Sequence, residues 1–147
     1  MRLADVCNPA VRLAYRDQAL AQAAELMRTH HVGALVVVER DDIKRRPIGI
    51  LTDRDIVRGQ LARAEDIFCL TVEDVMTPKP LMLAADLGLT EAVAALNKKA
   101  VRRAPVLDAS GALIGIVTLD DLLQAIARQL SELASLMTSQ AGKEGRR

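Results

Sequence analysis

Apolar residues recur along the chain in helical and strand-like spacings, and the same order of spacings occurs twice. Residues 20–27 and 89–96 carry apolar side chains near every third and fourth position, which predicts two amphipathic helices. An extended segment, AVRLA or PLMLA, precedes each helix, and a short apolar run, ALVVVE or APVLD, follows it. A polar turn, a second apolar run (IGILT or IGIVT) and a second helical pattern complete each copy. Such continuous apolar runs are typical of strands that are buried on both faces.

The two copies keep a fixed register. VCNP at residues 6–9 aligns with VMTP at 75–78, an offset of 69 residues. The offset falls to 66 after the polar turn ERDDIKRRP, so that GILTDRDIV at 49–57 aligns with GIVTLDDLL at 115–123. A single change of offset inside a polar loop indicates two copies of one folding unit, with an insertion in the first. Because one such unit would bury little surface alone, we expect the two copies to pack together.

The last helical pattern continues further than its counterpart in the first copy. Its apolar stripe can either cap the protein's own core or form an interface with a second subunit. The final segment, SQAGKEGRR, is predicted to be a disordered tail. The stripe consists of Leu119, Leu122, Leu123, Ile126, Leu130, Leu133 and Met137.

Composition argues against several classes of protein. Half of the residues are hydrophobic and 27% are charged, which is the balance of a soluble globular chain. A net charge of +1 and only two aromatic residues, Tyr15 and Phe68, argue against nucleic acid or a membrane as a partner. No apolar run reaches the length of a membrane span, and no secretory signal is visible. We therefore expect a cytoplasmic protein in which Cys7 and Cys69 are reduced thiols.

The sequence Gly-Ile-x-Thr-x-x-Asp occurs twice, each time where a strand pattern gives way to a helix pattern. Thr52 with Asp55, and Thr118 with Asp121, have the spacing of a capping box, which stabilises by about 1 kcal/mol. The same geometry suits a nucleotide, because a helix N-terminus attracts phosphate and a carboxylate can accept hydrogen bonds from two ribose hydroxyls. Spacing alone leaves both interpretations open.

Neither metal chemistry nor catalysis is predicted. His30 and His31 are adjacent, so they do not share a helix face, and no Cys-x-x-Cys or His-Glu-x-x-His motif is present. Catalysis requires a nucleophile with a base, or paired acids of opposed roles. The Thr-x-x-Asp motifs have no companion base, so we expect no catalytic residue and no enzyme activity.

Together these motifs resemble those of tandem cystathionine-β-synthase (CBS) domains. VMTP, GALVVVE, GILTDRDIVRG and RRAPVLDASGALIGIVTLDDLL are similar to stand-alone bacterial and archaeal members, over about residues 3–128. The resemblance implies an α/β fold of two βαββα repeats with pseudo-two-fold symmetry, at residues 3–64 and 70–128. A C-terminal helix extension and disordered tail would follow at 129–147. The resemblance also implies a homodimer and two clefts that bind AMP, ADP or ATP, or sometimes NAD or S-adenosylmethionine, with no required cofactor.

Position by position, the resemblance assigns ligand contacts to the repeated motif. Asp55 and Asp121 would bind ribose hydroxyls. Thr52 and Thr118 would lie beside the ribose or the phosphate.

Other contacts would come from the segments around the motif. Ile48 and Ile114 would form apolar walls for the adenine, and the backbone around Gly33–Ala34 and Arg102–Arg103 would line the base. The side chains of Arg102 and Arg103, and that of Arg54, would reach phosphate through charge-assisted hydrogen bonds. Because the first copy has VGALVVV where the second has VRRAPVL, the clefts are expected to differ.

This resemblance predicts a non-enzymatic regulatory module that signals energy or metabolite state to an unidentified effector protein. The alternative is a ligand-free structural or protein-interaction module in which the Thr-x-x-Asp units act only as helix caps.

Overall fold

A computed structural model describes residues 1–63 and 66–144, and within them the predicted order of strands and helices occurs twice. The first half contains α1 (Leu3–Val6), β1 (Leu13–Tyr15), α2 (Leu20–His30), β2 (Ala34–Val38), β3 (Gly49–Thr52) and α3 (Asp53–Arg63). After a 3-10 turn (Ile67–Cys69), the second half contains α4 (Val72–Val75), β4 (Thr77–Pro78), β5 (Leu83–Ala84), α5 (Leu89–Lys99), β6 (Arg103–Leu107), β7 (Leu113–Thr118) and α6 (Leu119–Glu144). The βαββα order is therefore confirmed in both repeats.

Each repeat has its own sheet. The first has the order β1-β2-β3-β4, with β1 parallel to β2 and the other neighbours antiparallel. The second has the order β5-β6-β7, with β5 parallel to β6 and β6 antiparallel to β7. Since β1 and β5 are parallel to their neighbours, each needs a crossover, which α2 and α5 provide.

Two aliphatic cores lie behind these sheets. Apolar residues at helical spacing on α2 and α5 pack onto the continuous apolar strands, as the patterns predict. The buried members of the first core are Ala14, Leu20, Ala23, Met27, Leu35, Val37, Leu51, Ile56, Leu70 and Val72. Those of the second are Leu3, Leu83, Leu89, Ala92, Leu96, Ala104, Val106, Val117, Leu122 and Ala125.

The short helices α1 and α4 are exchanged between the repeats, a feature that the sequence patterns did not predict. Leu3, at the start of α1, is fully buried in the second core, and Val72, at the start of α4, is fully buried in the first. Backbone hydrogen bonds fix both, with the Leu3 amide on the Leu87 carbonyl and the Val72 amide on the Gln18 carbonyl, each at 2.9 Å. Each of the predicted repeats, 3–64 and 70–128, therefore contributes its first helix to the core of the other, and residue 64 lies outside the described residues.

Glycine in the repeated motif is explained by the same exchange. The chain leaving α4 crosses β3 at Gly49, where an added Cβ would lie 2.6 Å from the Met76 sulfur. The chain leaving α1 crosses β7 at Gly115, where a Cβ would lie 2.7 Å from the Cys7 sulfur. Only glycine lets the two backbones approach this closely.

The apolar stripe of the long helix α6 has two parts, one that packs on the protein's own core and one that is exposed. Leu122 is fully buried in the second core and Ile126 packs against that core, whereas Leu130, Leu133 and Met137 are exposed. The predicted disordered tail differs from the structure, because residues 139–144 continue α6 and only 145–147 lie outside the described residues. Ala141 and Lys143 are good helix formers, and Gly142 within the helix costs only about 1 kcal/mol. No described helix is both long and apolar enough to cross a membrane.

Candidate functional site

Both Thr-x-x-Asp units form the capping hydrogen bonds that their spacing predicts. In the first, the Thr52 amide donates to Asp55 Oδ2 at 3.0 Å, and the Asp55 amide donates to Thr52 Oγ1 at 3.1 Å. The second unit repeats both bonds at the same distances between Thr118 and Asp121. These side chains therefore begin α3 and α6 as capping boxes with no ligand present.

A cleft of about 380 Å³, here called cleft 1, lies between the capped start of α3 and the second repeat. The first repeat contributes the motif itself, and the second contributes the turn after α5 and the start of β6. This volume is in the range of small-molecule sites. The lining residues are Ile50, Thr52, Asp53, Arg54, Asp55, Thr77, Pro80, Leu81, Ala100, Val101, Arg102 and Arg103.

Positive charge in cleft 1 comes from Arg54, Arg102 and Arg103. Arg54 and Arg102 are exposed, Arg103 is half-buried, and none of the three guanidinium groups forms an ion pair within residues 1–63 and 66–144. Unpaired guanidinium groups around a concave surface suit a phosphate, which arginine binds with two parallel hydrogen bonds. Asp53 and Asp55 contribute carboxylates to the same cleft.

The first amides of α3 are already hydrogen-bonded. The Asp53 amide donates to the Gly33 carbonyl at 3.1 Å, and the Arg54 amide donates to Asp53 Oδ1 at 2.8 Å. The Asp55 amide is held by Thr52, as described above. The predicted attraction of phosphate by this helix N-terminus must therefore come mainly from arginine side chains, because the amides have protein acceptors.

A smaller cleft of about 210 Å³, here called cleft 2, lies at the corresponding place beside the start of α6. In cleft 2 the second repeat contributes the strand that ends in the Thr-x-x-Asp motif, and the first repeat contributes the turn after α2. Gly33 and Ala34 line cleft 2 at the positions that correspond to Arg102 and Arg103 in cleft 1. The lining residues are Asn8, Ala10, Val11, Arg12, Val32, Gly33, Ala34, Val36, Arg103, Ile116 and Thr118.

The clefts also differ beside their aspartates. Thr77, in the chain after α4, donates its hydroxyl to Asp55 Oδ1 at 3.3 Å. Asn8 occupies the corresponding position, but its own Oδ1 accepts a hydrogen bond from the Ala10 amide at 3.0 Å. Asp121 is not a lining residue of cleft 2, although its partner Thr118 is.

Two of the predicted site residues lie elsewhere. Ile48 packs against the first core and Ile114 against the second, so neither lines a cleft. The apolar lining comes instead from Ile50 and Ile116, two residues further along β3 and β7 and nearer the helix starts. This displacement places the apolar wall next to the capping threonine.

Chemical reactivity is low in the neighbourhood of cleft 2. Burial raises the pKa of the Cys7 thiol, and the charges of Asp121 and Asp5 raise it further. The thiol is therefore protonated at neutral pH and a weak nucleophile. The described residues contain no group of three or more His, Cys, Asp or Glu side chains placed to hold a metal ion.

Comparison with known proteins identifies the family. The CBS domain family matches residues 3–62 and 72–128. The chain belongs to the CBS domain family. Its two matched segments are the two repeats described above, and the clefts lie between them.

Relatives and solved structures agree with this assignment. Hypoxic response protein 1 of Mycobacterium tuberculosis is 35% identical over 130 residues, covering 88% of this chain and 85% of that protein. An uncharacterised protein, MK0525 of Methanopyrus kandleri, is 36% identical over 103 residues, and the match spans 70% of this chain and 51% of that protein. The crystal structure of CBSX2 in complex with AMP superimposes with a TM-score of 0.74 at 26% identity, covering 88% of this chain and 98% of that one.

Proposed function

We propose that this chain is a non-enzymatic regulatory module that binds an adenosine nucleotide in the clefts between its CBS repeats. The observation that carries the proposal is the composition of cleft 1, where three arginines that form no ion pair within the described residues line the same cleft as Asp55 and Thr52 at a helix start. Phosphate and ribose are the two groups that such side chains recognise together. The AMP bound to CBSX2, a protein of the same fold, supports adenine as the base.

Ligand contacts in cleft 1 follow from the side chains that are present. The ribose hydroxyls would donate to Asp55, whose Oδ1 accepts only the long hydrogen bond from Thr77. The phosphates would lie among Arg54, Arg102 and Arg103, and the base would pack against Ile50. In cleft 2, Thr118 would contact the corresponding part of a ligand, and Asp121, which is hydrogen-bonded to Thr118, would reach the ribose from just outside the lining.

A bound ligand would act by population shift. Each cleft is lined by both repeats, so a ligand contacts the two together and favours the arrangement in which both sets of contacts are made. An effector protein would then sense that arrangement. Asp55 and Asp121 are engaged as caps and Cys7 is a protonated thiol, so no group in the clefts is placed to act as a nucleophile with its base.

The exposed stripe of α6 supports a homodimer as the assembled form. Its apolar residues alternate four and three residues apart, which is the heptad spacing of a two-stranded coiled coil. Leu130, Leu133 and Met137 are 63%, 59% and 72% exposed, although they lie on one side of the helix. Pairing with the same helix of a second copy would bury this stripe.

Thermal unfolding tests nucleotide binding directly. We expect AMP, ADP or ATP at 100 times its Kd to raise the free energy of unfolding by about 2.7 kcal/mol. Asp55→Asn and Asp121→Asn sharpen the test, because asparagine keeps one oxygen for the cap but removes the anionic acceptor of ribose hydroxyls. Asp41→Asn, in an exposed turn, is the matched control. If no adenosine compound, including NAD and S-adenosylmethionine, shifts the transition, the proposal fails.

A ligand-free interaction module is the second candidate, and a specific observation favours it. Both capping boxes are complete without any ligand, so structural need alone accounts for the repeated threonine and aspartate. That candidate predicts that Asp55→Asn changes no nucleotide response, since there is none.

Sedimentation analysis tests the dimer separately. Leu133→Asp places a charge in the α6 stripe and should shift the protein from dimer to monomer. Ser135→Asp, on the opposite side of the same helix, should leave the mass unchanged. A wild-type protein that sediments as a monomer at all accessible concentrations contradicts the dimer but not nucleotide binding.

A further inference from the structure

Arg103 is the one residue that lines both clefts among those described. It stands at the start of β6, directly opposite Thr118 of β7 in the sheet register, and this position brings it to cleft 2. It also lines cleft 1 beside Arg102. This residue therefore lies at the boundary between two clefts that otherwise share no lining residue.

The backbone of Arg103 is fixed, but its charged group is not. The next residue, Ala104, is fully buried in the second core, and the preceding Arg102 carbonyl accepts the Leu119 amide at 2.7 Å. The Arg103 guanidinium forms no ion pair with the described part of the chain. A long side chain on a fixed backbone can thus reach toward either cleft.

The first repeat has no equivalent charge. Ala34 stands opposite Thr52 in β2 and β3, just as Arg103 stands opposite Thr118 in β6 and β7. A methyl group replaces the guanidinium at this position. Cleft 1 is also lined by Arg54 and Arg102 and cleft 2 by Arg12, but Arg103 is the arginine that both clefts share.

We propose that Arg103 couples the two clefts negatively, so that a phosphorylated ligand in one cleft weakens the binding of a second phosphorylated ligand in the other. This inference rests on the proposed nucleotide binding. One guanidinium makes its paired hydrogen bonds to one phosphate at a time. A second phosphate would then meet an arginine whose charge is already compensated. Since coupling between sites is reciprocal, filling either cleft first has the same effect.

The coupling depends on phosphate, which gives it a signature. A nucleoside without phosphate does not form the paired hydrogen bonds with Arg103, so adenosine should bind the two clefts independently. AMP should bind them with an affinity that falls at least about five-fold at one cleft when the other is filled, at the lower end of typical coupling between sites.

Methyl NMR of Ile50 and Ile116 separates the clefts, because each isoleucine lines only one of them. Independent sites each give a simple hyperbola, whatever their affinities. Where the two clefts fill over overlapping concentrations, negative coupling broadens the curve of at least one site to a Hill coefficient below 1. We expect broadened curves with AMP and simple hyperbolas with adenosine. The adenosine titration also controls for a methyl that senses the distant cleft, which would distort that curve as well.

Three variants complete the experiment. Arg103→Gln should make both AMP curves hyperbolic, and Ala34→Arg should reduce the broadening by supplying a second guanidinium. Arg102→Gln, which removes a charge from cleft 1 only, should weaken AMP at Ile50 and keep the broadening.

Simple hyperbolas for AMP over overlapping concentrations in the wild type overturn the coupling while leaving nucleotide binding intact. If the two curves do not overlap, the variant (Asp55→Asn or Asp121→Asn) that weakens the first-filled cleft should tighten AMP at the other cleft, and an unchanged affinity there overturns the coupling instead. A cleft 2 that stays empty with adenosine and in Ala34→Arg overturns it too. If neither methyl responds to any adenosine compound, the proposed function itself fails, which is a distinguishable result.

Discussion

Cleft 1 and cleft 2 lie beside identical capping motifs but differ in volume and in lining residues. Each lies beside a helix that starts with the same two capping hydrogen bonds, at 3.0 and 3.1 Å. Cleft 1 encloses about 380 Å³ and is lined by three arginines, whereas cleft 2 encloses about 210 Å³ and is lined by two, Arg12 and the shared Arg103. Gly33 and Ala34 line cleft 2 at the positions that correspond to Arg102 and Arg103. The part that both repeats retain is the capped helix start, and the part that differs is the size and charge of the cleft beside it.

The neighbouring chain crossings show the same contrast. Met76 crosses over Gly49, and Cys7 crosses over Gly115. Both crossings also place a backbone carbonyl oxygen close to an added Cβ, with Thr77 at 3.0 Å over Gly49 and Asn8 at 2.9 Å over Gly115. The difference lies in the side chains, because the long methionine is flexible and can move aside, whereas the short cysteine has one side-chain torsion. The second crossing is therefore the less adaptable one.

Substitution of these two glycines is expected to have the largest effect. Gly115→Ala should lower the free energy of unfolding by about 3 kcal/mol and Gly49→Ala by about 2 kcal/mol, within the usual range for overpacking. Urea denaturation measures both. Gly33→Ala is the control, because its Cβ would make only an ordinary contact, 3.7 Å from Asp53 Oδ2. Equal losses at Gly49 and Gly115 would show that the Met76 side chain adapts no better than Cys7.

Loss of the caps comes next. Asp55→Ala and Asp121→Ala each remove the acceptor of a threonine amide, which should cost about 1 kcal/mol without ligand. The loss should be slightly larger for Asp55, because the Thr77 hydroxyl also loses its acceptor. Glu132→Ala, on the exposed part of α6, controls for the change to alanine. Unchanged stability in both aspartate variants would show that the capping hydrogen bonds contribute nothing measurable.

The fold could be predicted from sequence because local apolar periodicity and the internal repeat indicate its helices and strands. Apolar spacing located α2 and α5, and the strand runs located β2, β3, β6 and β7. The capping bonds were also predictable, since Thr52 and Asp55 are only three residues apart. A T-x-x-D signal at Thr71 and Asp74 marks α4 and could have revealed that helix.

Long-range placement could not be predicted in the same way. The exchange of α1 and α4 depends on which core each short helix joins, and nothing in their own sequences states this. Ile50 rather than Ile48 lines cleft 1 because of where the opposite repeat meets β3. The double role of Arg103 likewise arises from the packing of the two repeats and not from any motif.

The Thr77 hydroxyl gives a smaller test of the difference between the clefts. Thr77→Val removes the donor to Asp55 Oδ1 and should cost about 0.5 kcal/mol, because the bond is long and exposed. In a double-mutant cycle with Asp55→Ala the loss should vanish. The same cycle between Thr77→Val and Asp121→Ala should be additive, because Thr77 contacts only the first aspartate. A loss that persists without Asp55 would show that the methyl or hydroxyl of Thr77 acts elsewhere.

The smallest expected effect concerns the pH dependence of the exchanged helix α4. The Thr71 amide donates to Asp74 Oδ2 at 2.8 Å, and this hydrogen bond holds the pKa of Asp74 below its usual value. A lowered pKa in the folded state means that the stabilisation is present above the unfolded value of about 3.9 and is lost as pH falls through the folded value. Asp74→Asn should therefore be less stable than the wild type at pH 7, and the difference should shrink below about pH 4. Urea denaturation at pH 7 and at pH 3 measures the difference, with pH 7 as the internal reference. A difference that remained undiminished at pH 3 would assign the loss to packing of the asparagine and not to the charge of Asp74.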